Sequence, residues 1–219
     1  MVEIKICGIT NLQDACLSVD CGADSVGFIF YRKSPRYVAP ERVKQIVQNL
    51  PSGIAKVGVF VNQQGEEVRA ISRFCRLDLI QLHGDESSEY CRQFPPSSLI
   101  KTLCYREDIG RADDYSVRAF LVDARGNGLY GGTGKNADWE LARRMKRMHP
   151  LILAGGLNRE NVVKAIKAVH PRAVDINSGV EISPGKKDPD KLREIVRIVR
   201  EMKLEENGTP QGIFGVIKE

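Results

Sequence analysis

The stretch LILAGGLNRENVVKAIKAVHPRAVDINSG, residues 151–179, holds the pattern that decides the fold. A short apolar run, 151–154, stops at Gly155-Gly156. An amphipathic segment with spacing near 3.6 follows over 159–169, with Asn158 placed to cap it. A second apolar run, 173–177, then stops at Ser178-Gly179. Strand, helix, strand with a small-residue turn after each strand is the signature of parallel strands joined by crossover helices.

The same pattern extends in both directions. Further apolar, β-rich runs occupy 3–9, 25–31, 55–61, 78–83, 99–105 and 119–123, which with the two above make eight. All are mostly apolar, as strands buried on both faces should be. Helical periodicity predicts helices over 40–50, 64–75, 137–148, 159–169 and 188–202, the last with Asp188 as cap and Pro189 at the first helical position. Eight β-α rounds in about 200 residues, without an insertion large enough for another domain, predict an α/β protein made of a single (β/α)8 TIM barrel spanning 1–203. Residues 204–219 have the composition of a flexible C-terminal tail, although Ile213-Phe214-Gly215-Val216-Ile217 is apolar enough to dock.

The 219-residue chain is 42% hydrophobic and 28% charged, which excludes fibrous and low-complexity classes. No run approaches the ~18 apolar residues of a membrane helix, and the start carries Glu3 and Lys5 where a signal peptide has its apolar core. The sequence therefore predicts a cytoplasmic protein without a membrane partner. Its six cysteines form no C-x-x-C pair, and reduced thiols are expected. The net charge of +5 comes from scattered basic residues, which favours small anionic ligands over nucleic acid.

In a barrel, chemistry sits at the C-terminal ends of strands. Cys7 closes the first run, His83 the fourth, Asp123 the sixth, Gly155-Gly156 the seventh and Ser178-Gly179 the eighth; Arg36 lies in the loop after the second. The small residues after strands 7 and 8 fit a phosphate site built from backbone N–H groups, against the plainer role of making tight turns. Cys7 is either a buried small hydrophobe or, beside Lys5 on one strand face, a thiol whose pKa nearby positive charge lowers toward that of a general base. Asp123 closes an apolar strand, where desolvation would raise its pKa and make it a proton donor; otherwise it fixes the following loop. Arg36, stiffened by Pro35, has the planar fork that grips a carboxylate. His83 could orient ligand or loop, or serve the structure alone. The remaining cysteines, at 16, 21, 75, 91 and 104, are expected to be structural, and no spacing of ligand residues makes a metal site. The G-x-G-x-x-G match at 126–131 opens no helix and reads as a glycine-rich loop able to cover a pocket.

The ordered motifs Lys5-Ile6-Cys7-Gly8-Ile9-Thr10, Lys33-Ser34-Pro35-Arg36-Tyr37-Val38, Gln81-Leu82-His83-Gly84-Asp85-Glu86, Gly131-Gly132-Thr133-Gly134, Leu153-Ala154-Gly155-Gly156-Leu157-Asn158 and Ser178-Gly179-Val180-Glu181 give the chain its likeness. It resembles the phosphoribosylanthranilate isomerases of tryptophan biosynthesis over about residues 3–203. The resemblance implies a cofactor-free isomerase, monomeric or homodimeric, acting on a phosphorylated small molecule by an Amadori rearrangement. It further implies Cys7 as general base, Asp123 as general acid, Arg36 at the anthranilate carboxylate, and Gly155, Gly156, Ser178 and Gly179 at the phosphate. Asn177 and Ala137 depart from the family's usual Ser and aromatic residue. Another phosphosugar-isomerising barrel and a non-catalytic phosphate-ligand protein are the alternatives; the presence of both Cys7 and Asp123 argues against the second, because binding alone requires neither.

Overall fold

The computed structural model describes residues 1–103, 110–123, 138–202 and 212–215. The glycine-rich loop expected at 126–131 and most of the tail expected from 204 lie outside the described residues. Eight parallel strands close into one barrel in sequence order. They are β1 (Glu3–Ile6), β2 (Ser25–Ile29), β3 (Ala55–Phe60), β4 (Leu79–Leu82), β5 (Leu99–Leu103), β6 (Ala119–Val122), β7 (Leu151–Leu153) and β8 (Ala173–Ile176). The seam is the β1–β8 pair, in which Lys5 lies opposite Asp175.

The described helices are α1 (Leu12–Asp20), α2 (Pro40–Val47), α3 (Gly65–Cys75), the short α4 (Ser88–Cys91), α5 (Trp139–Lys146), α6 (Val162–Val169) and α7 (Pro189–Glu201). A two-stranded hairpin, β9 (Glu181–Ser183) and β10 (Lys186–Lys187), stands between β8 and α7. Side-chain caps set several helix starts. Asn11 accepts from the Asp14 N–H at 2.8 Å, and Asp188 accepts from those of Asp190 and Lys191. Several expected boundaries move, most clearly that of α6, which begins at Val162, not at 159. Asn158 still accepts from Glu160 and Asn161, but that turn ends before the α-helix begins.

Strand alternation sorts the side chains into two packed regions. One set, including Phe28, Phe60, Phe120 and Val174, packs among buried residues of the helices such as Val43, Val68, Ile166 and Ile195. The other fills the barrel with small and medium apolar groups: Ala55, Val57, Leu79, Ile100, Ala119, Leu121, Ile152 and Ala173. This second cluster also contains Ile213 and Phe214, only 2% and 3% exposed. Glu3 holds them in place by accepting the Ile213 N–H at 2.6 Å and the Phe214 N–H at 3.0 Å. From the other side, Arg118 donates to the carbonyls of Ile213, Gly212 and Gly215. Segment 212–215 thus floors the barrel at the end opposite Cys7 and Asp123.

Removing the segment uncovers the apolar base of the barrel and takes two N–H donors from Glu3, a loss on the order of 2 kcal/mol. Truncation before residue 204 is therefore expected to lower Tm by about 4–8 °C in calorimetry. An unchanged Tm would show that the floor contributes nothing to stability.

Candidate active site

At the other end of the barrel one cavity collects residues from most of the strand ends. Cys7, Arg36, His83, Asp123, Gly155, Gly156 and Ser178 all line it. Gly179 does not. A Cβ there would collide with the Leu157 carbonyl, so Gly179 permits close backbone contact between the loops that follow β7 and β8. Gly155 and Gly156 have φ of 85° and 61°, a region that side-chain-bearing residues rarely adopt. Ser178 opens a single 3-10 turn, where the first N–H groups have no acceptor within the helix. The two turns and this N-terminus form a small-residue rim suited to an anion.

Cys7 follows β1 directly, and its N–H still donates to the Ile176 carbonyl at 2.9 Å. Its thiol is packed tightly: a Cβ at Gly27 would approach Sγ to 2.8 Å and Lys5 Cε to 3.0 Å. Glycine on β2 therefore makes room for both groups. The expected lowering of the Cys7 pKa is overturned. Burial pushes the thiol up, and the Asp175 carboxylate adds to that; Lys5 and Lys187 pull it down without reversing the shift. The sequence showed the cation beside the sulfur, but not its counter-ion or the full burial of the pair. Burial alone would lower the Lys5 pKa, yet Asp175 and Cys7 together outweigh it and raise the value, which favours the ammonium. Lys5 Nζ lies 2.9 Å from both Asp175 Oδ2 and Gln81 Oε1.

Arg36 is buried and already engaged. Its Nε is 3.0 Å from each oxygen of Glu181, and Nη2 is 2.7 Å from Oε2. That contact uses one edge of the guanidinium; the Nη1–Nη2 edge is the one geometrically suited to a second carboxylate. Lys187 joins the cluster, 3.1 Å from Glu181 Oε1 and 3.1 Å from Asn177 Oδ1, and also donates to the Cys7 carbonyl. Burial favours the neutral form of Glu181, but Arg36 and Lys187 outweigh it and hold its carboxyl below the usual range. Two cations against one carboxylate leave this wall positive.

On the far wall, His83 Nε2 stands 3.3 Å from Asp123 Oδ2, with both side chains about nine-tenths buried. The Gln81 amide nitrogen is 2.9 Å from His83 Nδ1, and Thr102 Oγ1 is 3.1 Å from the same atom. Asp175, Glu181, Lys187 and Gly27 had no role in the reading of the sequence. The first three depend on partners distant in the chain; Gly27 had a local signal, a glycine inside a strand. Among the described residues, no group of three or more His, Cys, Asp or Glu is placed to hold a metal ion, and no helix is long and apolar enough to cross a membrane.

The family model for N-(5'phosphoribosyl)anthranilate (PRA) isomerase matches residues 4–198. The N-(5'-phosphoribosyl)anthranilate isomerase of Syntrophus aciditrophicus is 53% identical over 202 residues, covering 91% of this chain and 88% of the relative. A crystal structure of phosphoribosyl anthranilate isomerase from Thermotoga maritima aligns with a TM-score of 0.83 at 41% identity, covering 92% of this chain and 100% of that one. A phosphoribosyl anthranilate isomerase crystallised with reduced 1-(o-carboxyphenylamino)-1-deoxyribulose 5-phosphate aligns with a TM-score of 0.80 at 40% identity, with the same coverage. With the barrel, the cavity and these likenesses in agreement, the chain belongs to the N-(5'-phosphoribosyl)anthranilate isomerase family.

Proposed function

We propose that this chain isomerises N-(5-phosphoribosyl)anthranilate to 1-(2-carboxyphenylamino)-1-deoxyribulose 5-phosphate in the cytoplasmic synthesis of tryptophan, with Asp123 as general acid and Cys7 as general base. The observation that carries the assignment is the shared cavity: Cys7 and Asp123 both line it, together with Arg36, Gly155, Gly156 and Ser178. The substrate has an anion at each end, and the cavity offers a different kind of receptor for each. The phosphate suits the small-residue rim after β7 and β8. The anthranilate carboxylate suits Arg36 on the positive wall. Fixing both ends holds the sugar carbons between the two proton-transfer groups.

Asp123 protonates the furanose ring oxygen, and the C1'–O bond breaks as the amine lone pair forms a protonated Schiff base. Cys7, once its own proton has passed to solvent, takes as the thiolate the proton from C2', and the C–H electrons form the C1'=C2' bond of an enolamine, neutralising the nitrogen. Tautomerisation to the ketone completes an isomerisation without net gain or loss of atoms. The elevated thiol pKa fits this order. Ring opening creates a positive nitrogen beside the sulfur, which stabilises the thiolate and acidifies C2' in the same step.

Cys7→Ser and Asp123→Asn are each expected to lower kcat by ~10²- to 10⁴-fold while leaving product affinity largely intact. Fluorescence loss from freshly made substrate provides the assay, and near-normal kcat in either variant would refute that residue's role. Arg36→Ala is expected to raise KM more than it lowers kcat; an unchanged KM would remove Arg36 from the carboxylate site.

Thiolate is the form that alkylates, so a raised pKa means slow reaction at neutral pH. In the unliganded protein, iodoacetamide labelling of the Cys7 peptide, followed by mass spectrometry, should keep accelerating beyond the ordinary thiol pKa of about 8.5. A plateau below that pH would contradict the electrostatics of the site.

A further inference from the structure

A buried line of polar groups crosses the barrel from the base to the acid, and its hydrogen bonds can run in only one direction. Lys5 begins it with an ammonium, which has protons to give and no lone pair to accept. The Gln81 atom 2.9 Å from Lys5 Nζ must therefore be the amide oxygen. The amide NH2 is then the end that lies 2.9 Å from His83 Nδ1. An NH2 group can only donate, so Nδ1 must offer its lone pair. A neutral imidazole with a bare Nδ1 carries its proton on Nε2, the nitrogen 3.3 Å from Asp123 Oδ2.

We propose that Gln81 is a positioning residue whose amide, oriented by Lys5, holds His83 in the tautomer that presents Nε2–H to Asp123. Burial enforces the direction. Lys5 is 0% and Gln81 1% exposed, so a reversed amide would find little water to satisfy it. Reversal would set NH2 against the ammonium at one end. A proton on Nδ1 would set two donors 2.9 Å apart at the other. Either arrangement leaves buried polar groups unsatisfied. Thr102 acts in the same sense, because its rotatable hydroxyl, 3.1 Å from Nδ1, can donate to the same lone pair.

The proposal rests on Asp123 being the acid. When Asp123 releases its proton to the ring oxygen, it becomes a carboxylate in a site with little solvent. His83 Nε2 is buried without a hydrogen-bond partner and stands 3.3 Å from Asp123 Oδ2, so its N–H is at hand to close on that charge as it forms. The opposite tautomer would turn a lone pair toward the new carboxylate. Gln81 thus acts on the acid through His83.

Long-range 1H–15N correlation spectra of the wild-type protein at neutral pH read the tautomer directly. The chain has three histidines, and comparison with His83→Gln identifies the His83 signals. The expected spectrum has a bare Nδ1 and a protonated Nε2; a protonated Nδ1 or a doubly protonated ring would overturn the proposal. Gln81→Met keeps the volume but removes both amide functions. It should mix the tautomers and lower kcat about 10- to 10²-fold with KM nearly unchanged, the scale of one hydrogen bond to a charged group. A folded Gln81→Met that keeps the wild-type tautomer or wild-type kcat would equally overturn it. His83→Gln, which can still donate an N–H toward Asp123, should retain more activity than His83→Leu; equal loss would reject the donor role. Should Gln81→Met fail to fold, the wild-type spectrum and the His83 pair still decide the matter. Undiminished turnover in Asp123→Asn with the expected tautomer would instead fault the assignment of the acid.

Discussion

The site depends on the ion pair between Lys5 and Asp175 at the seam where the first strand meets the last. The two residues are register partners, and their side chains meet at 2.9 Å inside the barrel. A buried ion pair is a poor source of stability, since desolvating both charges consumes most of what their attraction supplies. Its value here is directional. Once Lys5 is fixed as a cation, the orientation of Gln81 and the electrostatic setting of Cys7 follow from it. Removing either partner would leave the other charge buried without compensation, a situation that typically costs 3–5 kcal/mol.

Charge is distributed unevenly around the cavity, in keeping with an unsymmetrical ligand. Arg36 and Lys187 outnumber Glu181 on one wall, and Lys5 and Asp175 balance each other beneath the sulfur. Opposite them, Asp123 faces an imidazole. Glu181 prevents two buried cations from repelling each other while leaving the wall positive. This balance explains how an arginine that is already ion-paired remains suited to a carboxylate.

Much of the architecture could be read from local pattern. The apolar runs ending in Cys7, His83 and Asp123 correspond to β1, β4 and β6, and the small residues at 155–156 and 178 lie on the rim of the same cavity. Several runs were read one to three residues too long, because apolar residues such as Ile9, Phe30 and Val61 remain buried after the strand itself has ended. What could not be read were pairings across the chain. Arg36 meets Glu181 across 145 positions, and Lys5 meets Asp175 across 170. A lone arginine in a loop gives no sign of the carboxylate that will hold it. For the same reason, the presence of Lys5 suggested a lowered thiol pKa, while Asp175 and burial reversed the sign.

The floor of the barrel bears on how the molecule is made. Glu3 and Ile213 are separated by 210 positions, so their hydrogen bond joins the first strand to a segment that follows the last helix of the barrel. During translation the eight strands emerge before their stopper does, and the interior stays open at its base until residues 212–215 have followed α7 out of the ribosome. A nascent chain cut short after α7 would carry every residue of the catalytic cavity and still lack the piece that seals it from below.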